Sequence, residues 1–282
     1  MSDTRGPVED YEPAAHYDRV TAAWGMLLGH ELHYGYFASG DEDLPTATAA
    51  LTSRIIDNAR FETGQRVLDV GCGTGAPACR LGADLGVEVL GITTSEVGVA
   101  AASERARQAG LPGVTFEVRD GTDNQLPDAG FDRAWVMESS HLMPERQQLL
   151  SECARVLRPG GRLVLCDLVR RREIPFVELR RRTEEFAVLR AAFGAARMDP
   201  LADYATYAET AGLTDVETED ITAQTRPTFD RWQDNVAAHR DEVTAILGAE
   251  SVEQFDRSCD ILRAFWDDGT LGYGLLTAVK PV

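Results

Sequence analysis

Three glycines at alternate positions, Gly71, Gly73 and Gly75 in the run Arg66 to Ala78 (RVLDVGCGTGAPA), carry the spacing that most directly implies chemistry. Backbone without a Cβ takes up strained φ values and lets a ligand lie against the peptide plane at a helix N-terminus. Such a turn suits a flat or anionic ligand, closely apposed. The third glycine comes one residue earlier than in the dinucleotide fingerprint of dehydrogenases, which favours S-adenosylmethionine over NAD. A tight turn in some other α/β protein is the alternative at this level. Asp69 precedes the glycines within a strand so apolar that an ordinary surface carboxylate is out of place there.

The turn needs a strand before it and a helix after it. Arg66 to Val70 reads as the strand and the helix starts near Ala76, running Pro77 to Leu85. The same rhythm continues downstream. Glu88 to Thr93 is a second strand, Ser95 can cap a helix over Glu96 to Ala109, and Gly110 and Pro112 end it. Val114, Phe116 and Val118 alternate as an edge strand does, and Phe131 to Met137 is a fourth strand. A helical stripe (Leu149, Leu150, Cys153, Val156, Leu157) is broken by Pro159-Gly160-Gly161. The apolar run Arg162 to Val169 then suits a central parallel strand. The pattern is α/β: a doubly wound, seven-stranded, mostly parallel sheet.

Additional segments flank this core. Residues 1 to about 13 read as disordered, Ala14 to Leu32 as a helix, LHYGYF at 32–37 as a dense aromatic cluster, and Thr46 to Ala59 as a second helix. Phe176, Leu179, Thr183, Phe186 and Phe193 recur at helical spacing, giving one amphipathic helix inserted where the sheet's loops gather. Arg170–Arg172 and Arg180–Arg182 read as solvated faces. Leu201 to Ala211, Phe229 to Leu247 and Val252 to Trp266 are helices, with strands over Thr214 to Thr222 and Leu271 to Val279. The expected organisation is an N-terminal helical lid (1–60), a cofactor-binding core (61–169), an inserted lid helix (170–200) and a C-terminal part of the core (201–282).

Composition narrows the partners. The 282 residues hold 28 Lys and Arg against 46 Asp and Glu, a net charge of −18, which repels phosphate backbones and anionic lipid surfaces. Neither nucleic acid nor membrane is expected as a partner. The five cysteines (Cys72, Cys79, Cys153, Cys166, Cys259) lack metal-ligand spacing and fall mostly in apolar stretches, so they read as reduced core residues of a cytoplasmic protein without a metal. No stretch approaches the roughly 18 apolar residues of a membrane span, and the polar N-terminus lacks the apolar core of an export signal. The apolar N-terminal and long C-terminal helices could form a homo-oligomer contact.

With these elements placed, the chain from Leu32 to Lys280 resembles the class I S-adenosylmethionine-dependent methyltransferases. VLDVGCGTG at 67–75, GITTS at 91–95 and VLRPGG at 156–161 carry the resemblance most specifically. LHYGYF, GITTS and ESSHLMP are similar to bacterial enzymes acting on small natural products, including sugar O-methyltransferases and prenyl C-methyltransferases, which implies secondary metabolism such as antibiotic biosynthesis. The resemblance implies that Gly71, Gly73 and Gly75 approach the methionine and ribose of the cofactor while Asp69 holds the loop in shape. It implies that Asp120 accepts from the adenine amine beside Gly121 and Thr122. It sets Tyr17, Tyr34 and the backbone near Met137 and Glu138 around the methionine. Many members put an acidic residue at the end of the second strand for the ribose diol. Thr93 stands there in this chain, so Thr93, Thr94 or Ser95 is expected to make that contact.

His141 falls where the family's general base often sits, and Asp167 lies near the end of the adjacent strand; a histidine oriented by a carboxylate makes a base near neutral pH. Sugar O-methyltransferases of this kind carry two adjacent histidines, but Leu142 follows His141 here. Methyl transfer to oxygen or nitrogen of a small acceptor is the leading expectation. The alternatives are C-methylation of an alkene or prenyl group through a carbocation held by aromatic faces, with Trp24, Tyr34, Tyr36, Phe37, Phe176, Phe186 and Phe193 as pocket candidates, and a cofactor-binding protein without catalysis. A dehydrogenase is disfavoured by the glycine spacing and by Thr93. The acceptor is expected to be apolar, aromatic, prenylated or glycosylated.

Overall fold

The computed structural model describes residues 23–29 and 31–282. The expectations for residues 1–13, for a helix beginning at Ala14 and for Tyr17 lie outside the described residues. Seven strands, β1 (Arg66–Val70), β2 (Glu88–Thr93), β3 (Val114–Val118), β4 (Phe131–Met137), β5 (Leu157–Arg170), β6 (Thr214–Asp220) and β7 (Leu271–Val279), form one sheet in the order β3-β2-β1-β4-β5-β7-β6. Only β7 runs antiparallel to its neighbours β5 and β6.

Burial explains the strand sequences. β1 has four of its five residues buried in the pattern eBBBB, and helices cover both faces of the sheet. Val67, Trp135, Val164 and Cys166 point to one face, where α1 (Leu44–Ala59), α2 (Ala76–Leu85), α3 (Glu96–Gln108), α9 (Thr228–Leu247) and α10 (Ala249–Asp267) pack. Leu68, Val136, Leu163 and Leu165 point to the other, against α4 (Arg146–Val156) and α7 (Leu201–Thr210). Helix starts follow local chemistry: Asp43 caps α1 by accepting from the Thr46 N–H at 2.8 Å, and Ser95 caps α3 by accepting from the Gly98 N–H at 2.9 Å.

Two elements depart from the expected pattern. Pro159-Gly160-Gly161 does not separate helix from strand, because β5 already begins at Leu157 and the triplet forms a bulge, seen as a register shift between Phe131↔Leu157 and Arg133↔Arg162. The bulge is held by paired backbone hydrogen bonds of 2.8 Å, Gly160 N–H to Lys280 O and Lys280 N–H to Gly161 O. The inserted amphipathic helix is two helices, α5 (Phe176–Arg181) and α6 (Thr183–Phe193), joined at Arg182. Phe186 and Phe193 of α6 pack on the core, but Phe176 is 72% exposed and Leu179 39%, so the expected single apolar face does not extend into α5. The remaining short helix is α8 (Thr222–Thr225). All five cysteines are buried and unpaired. Among the described residues no helix is long and apolar enough to cross a membrane, and no His, Cys, Asp or Glu cluster could hold a metal ion.

Candidate active site

The order of the sheet reverses at β1, flanked by β2 on one side and β4 on the other. The crevice at the carboxyl ends of these strands is where an open α/β sheet has room for a ligand. A cavity of about 380 Å³ lies there, lined by the loops after β1, β2, β3 and β4 and roofed by Glu31, Leu32 and His33 of the N-terminal segment.

The three glycines turn out to serve different purposes. All have positive φ: 80° at Gly71, 53° at Gly73 and 76° at Gly75. A Cβ on Gly71 would lie 2.2 Å from the Cβ of Ser139, so this glycine lets the β4 loop cross the turn. A Cβ on Gly75 would lie 2.7 Å from both Ala102 and Phe116. Gly75 starts α2 by packing, and it does not line the cavity. A Cβ on Gly73 would meet nothing within 4 Å, and Gly73 does line the cavity. Of the three, Gly71 and Gly73 line the cavity and Gly75 does not.

Asp69 also departs from its expected part. The loop is shaped by the Ile92 carbonyl, which accepts from the Gly71 N–H (2.8 Å) and the Cys72 N–H (3.1 Å), and by the Ser139 hydroxyl donating to Val70 O at 2.7 Å. The Asp69 carboxyl is 2% exposed, faces the cavity and meets no hydrogen-bond donor among the described residues. Burial pushes its pKa up to about 7.

Thr93, Thr94 and Ser95 line the cavity. Thr93 Oγ1 accepts from the Ser95 N–H, while the Ser95 hydroxyl oxygen is engaged as the α3 cap. Asp120, Gly121 and Thr122 also line it, and Asp120 Oδ1 accepts from the Thr122 N–H and hydroxyl at 2.8 and 2.7 Å. Met137 and Glu138 complete the wall; Glu138 holds a left-handed φ of 48°. Tyr34 is placed elsewhere. Its ring is buried among Phe229, Trp232, Trp266 and Tyr273, with centroids 4.9 to 5.7 Å away, and does not line the cavity. Only its backbone N–H reaches the site, donating to Glu138 Oε1 at 2.9 Å, an oxygen that also accepts from the Tyr273 hydroxyl at 2.7 Å.

His141 sits in a single 3-10 turn (Ser140–Leu142) after β4, beside Asp167 on β5. Its Nδ1 donates to Asp167 Oδ1 at 2.6 Å, and its backbone N–H donates to Oδ2 at 3.0 Å. Burial opposes charge on the imidazole, but the Asp167 carboxylate outweighs it and holds the His141 pKa above its usual value. Burial likewise opposes the Asp167 charge, yet His141, Ser140 and the Leu168 N–H hold its pKa below the usual carboxylate value. Neither side chain lines the cavity, although Glu138, Ser139 and Leu142 of the same loop do.

Residues 68–165, spanning this site, match a family described as a methyltransferase domain. The chain is 35% identical over 266 residues to 27-O-demethylrifamycin SV methyltransferase of Amycolatopsis mediterranei, covering 94% of this chain and 95% of that protein. It is 34% identical over 273 residues to methyltransferase GfsG of Streptomyces halstedii, covering 96% and 94%. The protein is a class I S-adenosylmethionine-dependent methyltransferase. Among solved structures it is similar to the [4+2]-cyclase SpnF, at 30% identity and a TM-score of 0.81 over 95% of each chain.

Several lining residues of this methyltransferase escaped the sequence reading. Trp135 is the register partner of Asp69 across β1 and β4, so strand alternation brings both to the cavity face once the strand order is known. Glu31 and His33 form part of a buried network: His33 Nε2 lies 2.8 Å from Glu31 Oε2, and Thr52 Oγ1 donates to the same oxygen at 2.6 Å. The density of LHYGYF signalled a pocket there, but its aromatic rings hid the histidine that reaches it. Phe37 is in the core and Phe176 on the surface; like Tyr34, Tyr36, Phe186 and Phe193, neither lines this cavity.

Proposed function

We propose that this methyltransferase transfers a methyl group to a hydroxyl of a small natural-product acceptor, with His141 as general base and Asp167 orienting it. The buried His141–Asp167 pair beside the cofactor cavity is the observation that carries this reading. The name of the Amycolatopsis relative states an O-methyl transfer and supports it, together with a place in secondary metabolism.

The cavity fits S-adenosylmethionine on its own chemistry. A buried carboxyl without a partner among the described residues suits an ammonium group, and the bare backbone at Gly73 leaves room for a closely apposed ligand. Asp69 would face the methionine ammonium, Gly73 the chain leading to the ribose, Thr93 and Thr94 the ribose hydroxyls, and Asp120 with Thr122 the adenine. When bound, the cofactor supplies a methyl group already activated by its sulfonium. The protein's own tasks are alignment and proton removal. Asp167 keeps the His141 Nδ1 protonated, so Nε2 is free to take the acceptor's hydroxyl proton. His141 acts as a base only when neutral, and its pKa is held above the usual 6.5. Accordingly kcat/KM rises with pH through a midpoint above 6.5.

The test is transfer from cofactor labelled at the methyl carbon, with glycosylated, aromatic and prenylated acceptors. A product labelled on oxygen, with His141→Ala slower by about 10²-fold or more, is the expected result. A label on carbon, or an unaffected His141→Ala rate, counts against it. The similarity to a [4+2]-cyclase favours a second reading, in which the site closes a ring without net methyl transfer; cyclised product without label decides for that.

A further inference from the structure

Asp167 accepts four hydrogen bonds, two on each oxygen. Oδ1 takes His141 Nδ1 at 2.6 Å and the Leu168 N–H at 2.7 Å; Oδ2 takes the His141 N–H at 3.0 Å and the Ser140 hydroxyl. A carboxylate has about four acceptor positions, so this one is filled and its rotation is fixed. With its proton committed to Asp167, Ser140 Oγ can only accept from the Tyr204 hydroxyl, 2.8 Å away. Ser140 and Tyr204 are both 0% exposed. Tyr204 belongs to α7, on the face of the sheet opposite Val67 and Trp135. A hydroxyl with no access to water is costly unless it is used, and phenylalanine would fill the same volume at position 204.

We infer that Ser140 and Tyr204 are positioning residues for His141: a hydrogen-bonded line running from the Tyr204 and Ser140 hydroxyls through the Asp167 carboxylate to His141 fixes the ring's tautomer and orientation and sets its strength as a base. The inference rests on the reading of His141 as the base. The other charged groups facing His141 are Glu138 at the end of β4 and Arg146 at the start of α4. Arg146 is itself opposed by Asp199 at 3.4 Å, and Tyr207 donates to Asp199 at 3.2 Å. Arg146 also lies in side-chain contact with the Tyr204 hydroxyl, so Ser140→Ala isolates the hydroxyl at Asp167, whereas Tyr204→Phe also removes a contact of Arg146.

The experiment is nuclear magnetic resonance titration of the histidine ring nitrogens in the full chain with S-adenosylhomocysteine added, comparing wild type, Ser140→Ala and Tyr204→Phe; His141→Gln assigns the signal. The pH profile of kcat/KM is measured alongside. Without the Ser140 hydroxyl, Asp167 keeps more of its charge for the imidazolium, so the His141 midpoint and the acid limb both move to higher pH, by about 0.5 to 1 unit. Tyr204→Phe moves them the same way by less, with KM for the cofactor unchanged. Midpoints within about 0.1 unit of wild type in folded variants reduce both hydroxyls to packing and overturn the inference. Should Ser140→Ala fail to fold, the near-isosteric Tyr204→Phe decides alone. A shifted titration combined with full activity in His141→Ala leaves the hydroxyl line standing and removes the base, which separates the two readings.

Discussion

At the scale of single residues, the site combines backbone that only glycine tolerates with a carboxyl, Asp69, that meets no hydrogen-bond donor among the described residues. Asp69, proposed to face the cofactor's ammonium group, shows how a buried carboxyl costs stability. Its pKa, pushed up to about 7 by burial from the usual 3.8, corresponds to ~4 kcal/mol against the ionised form at neutral pH. A group raised in the folded state contributes stability at low pH and loses it as pH climbs from the unfolded value towards the folded one. Asp69→Asn should therefore raise the melting temperature of the cofactor-free protein at pH 8. The gain is flat above pH 7 and shrinks between pH 7 and 4, as differential scanning fluorimetry across that range would reveal. The same substitution weakens S-adenosylhomocysteine, since an amide does not attract an ammonium. A variant neither more stable at pH 8 nor weaker in binding would mean that Asp69 has a partner in solution. The sequence marked Asp69 as unusual inside an apolar strand, but the Ile92 carbonyl that shapes the loop comes from a neighbouring strand, and only the strand order brings it there.

At the scale of elements, regular strands and their loops were legible because alternation and turn chemistry are local. Glu88–Thr93, Val114–Val118, Phe131–Met137 and Leu271–Val279 have the bounds that their patterning predicts. The inserted helix was not, because it breaks at Arg182, whose contacts reach a distant part of the chain. Arg182, at the junction of α5 and α6, donates to Glu185 at 2.6 Å and to Asp268 at 2.8 Å, and its guanidinium lies 3.6 Å from the Phe265 ring centroid. One side chain thus clamps the insert to the end of α10. Removing it as Arg182→Ala should loosen the insert without unfolding the sheet. Limited proteolysis is expected to cut within residues 173–195 several-fold faster, with the melting temperature lowered by only a few degrees, consistent with ~1 kcal/mol for a half-buried cluster. Unchanged cleavage would assign the docking to Phe186 and Phe193 instead.

At the scale of the whole molecule, the loops after four consecutive parallel strands converge on one cavity because the sheet reverses direction at β1. The glycine turn, the Ser95 cap, the Asp120 turn and the His141 loop are about 20 to 70 residues apart in sequence and meet only through that topology. Tyr34 marks the limit of reading them from sequence: its neighbours Phe229, Trp232, Trp266 and Tyr273 come from the far end of the chain. The cavity at Gly73 is the proposed cofactor site. Calorimetric titration of the full chain with S-adenosylhomocysteine, wild type beside Gly73→Val, tests this most directly. The branched side chain would occupy open cavity space, at about 1 to 3 kcal/mol of backbone strain. Saturable binding of one ligand per chain in the wild type, weakened about 100-fold or more in a variant of unchanged circular dichroism, is the predicted result. Equal affinity in the two proteins would contradict it and move the cofactor away from the glycine turn.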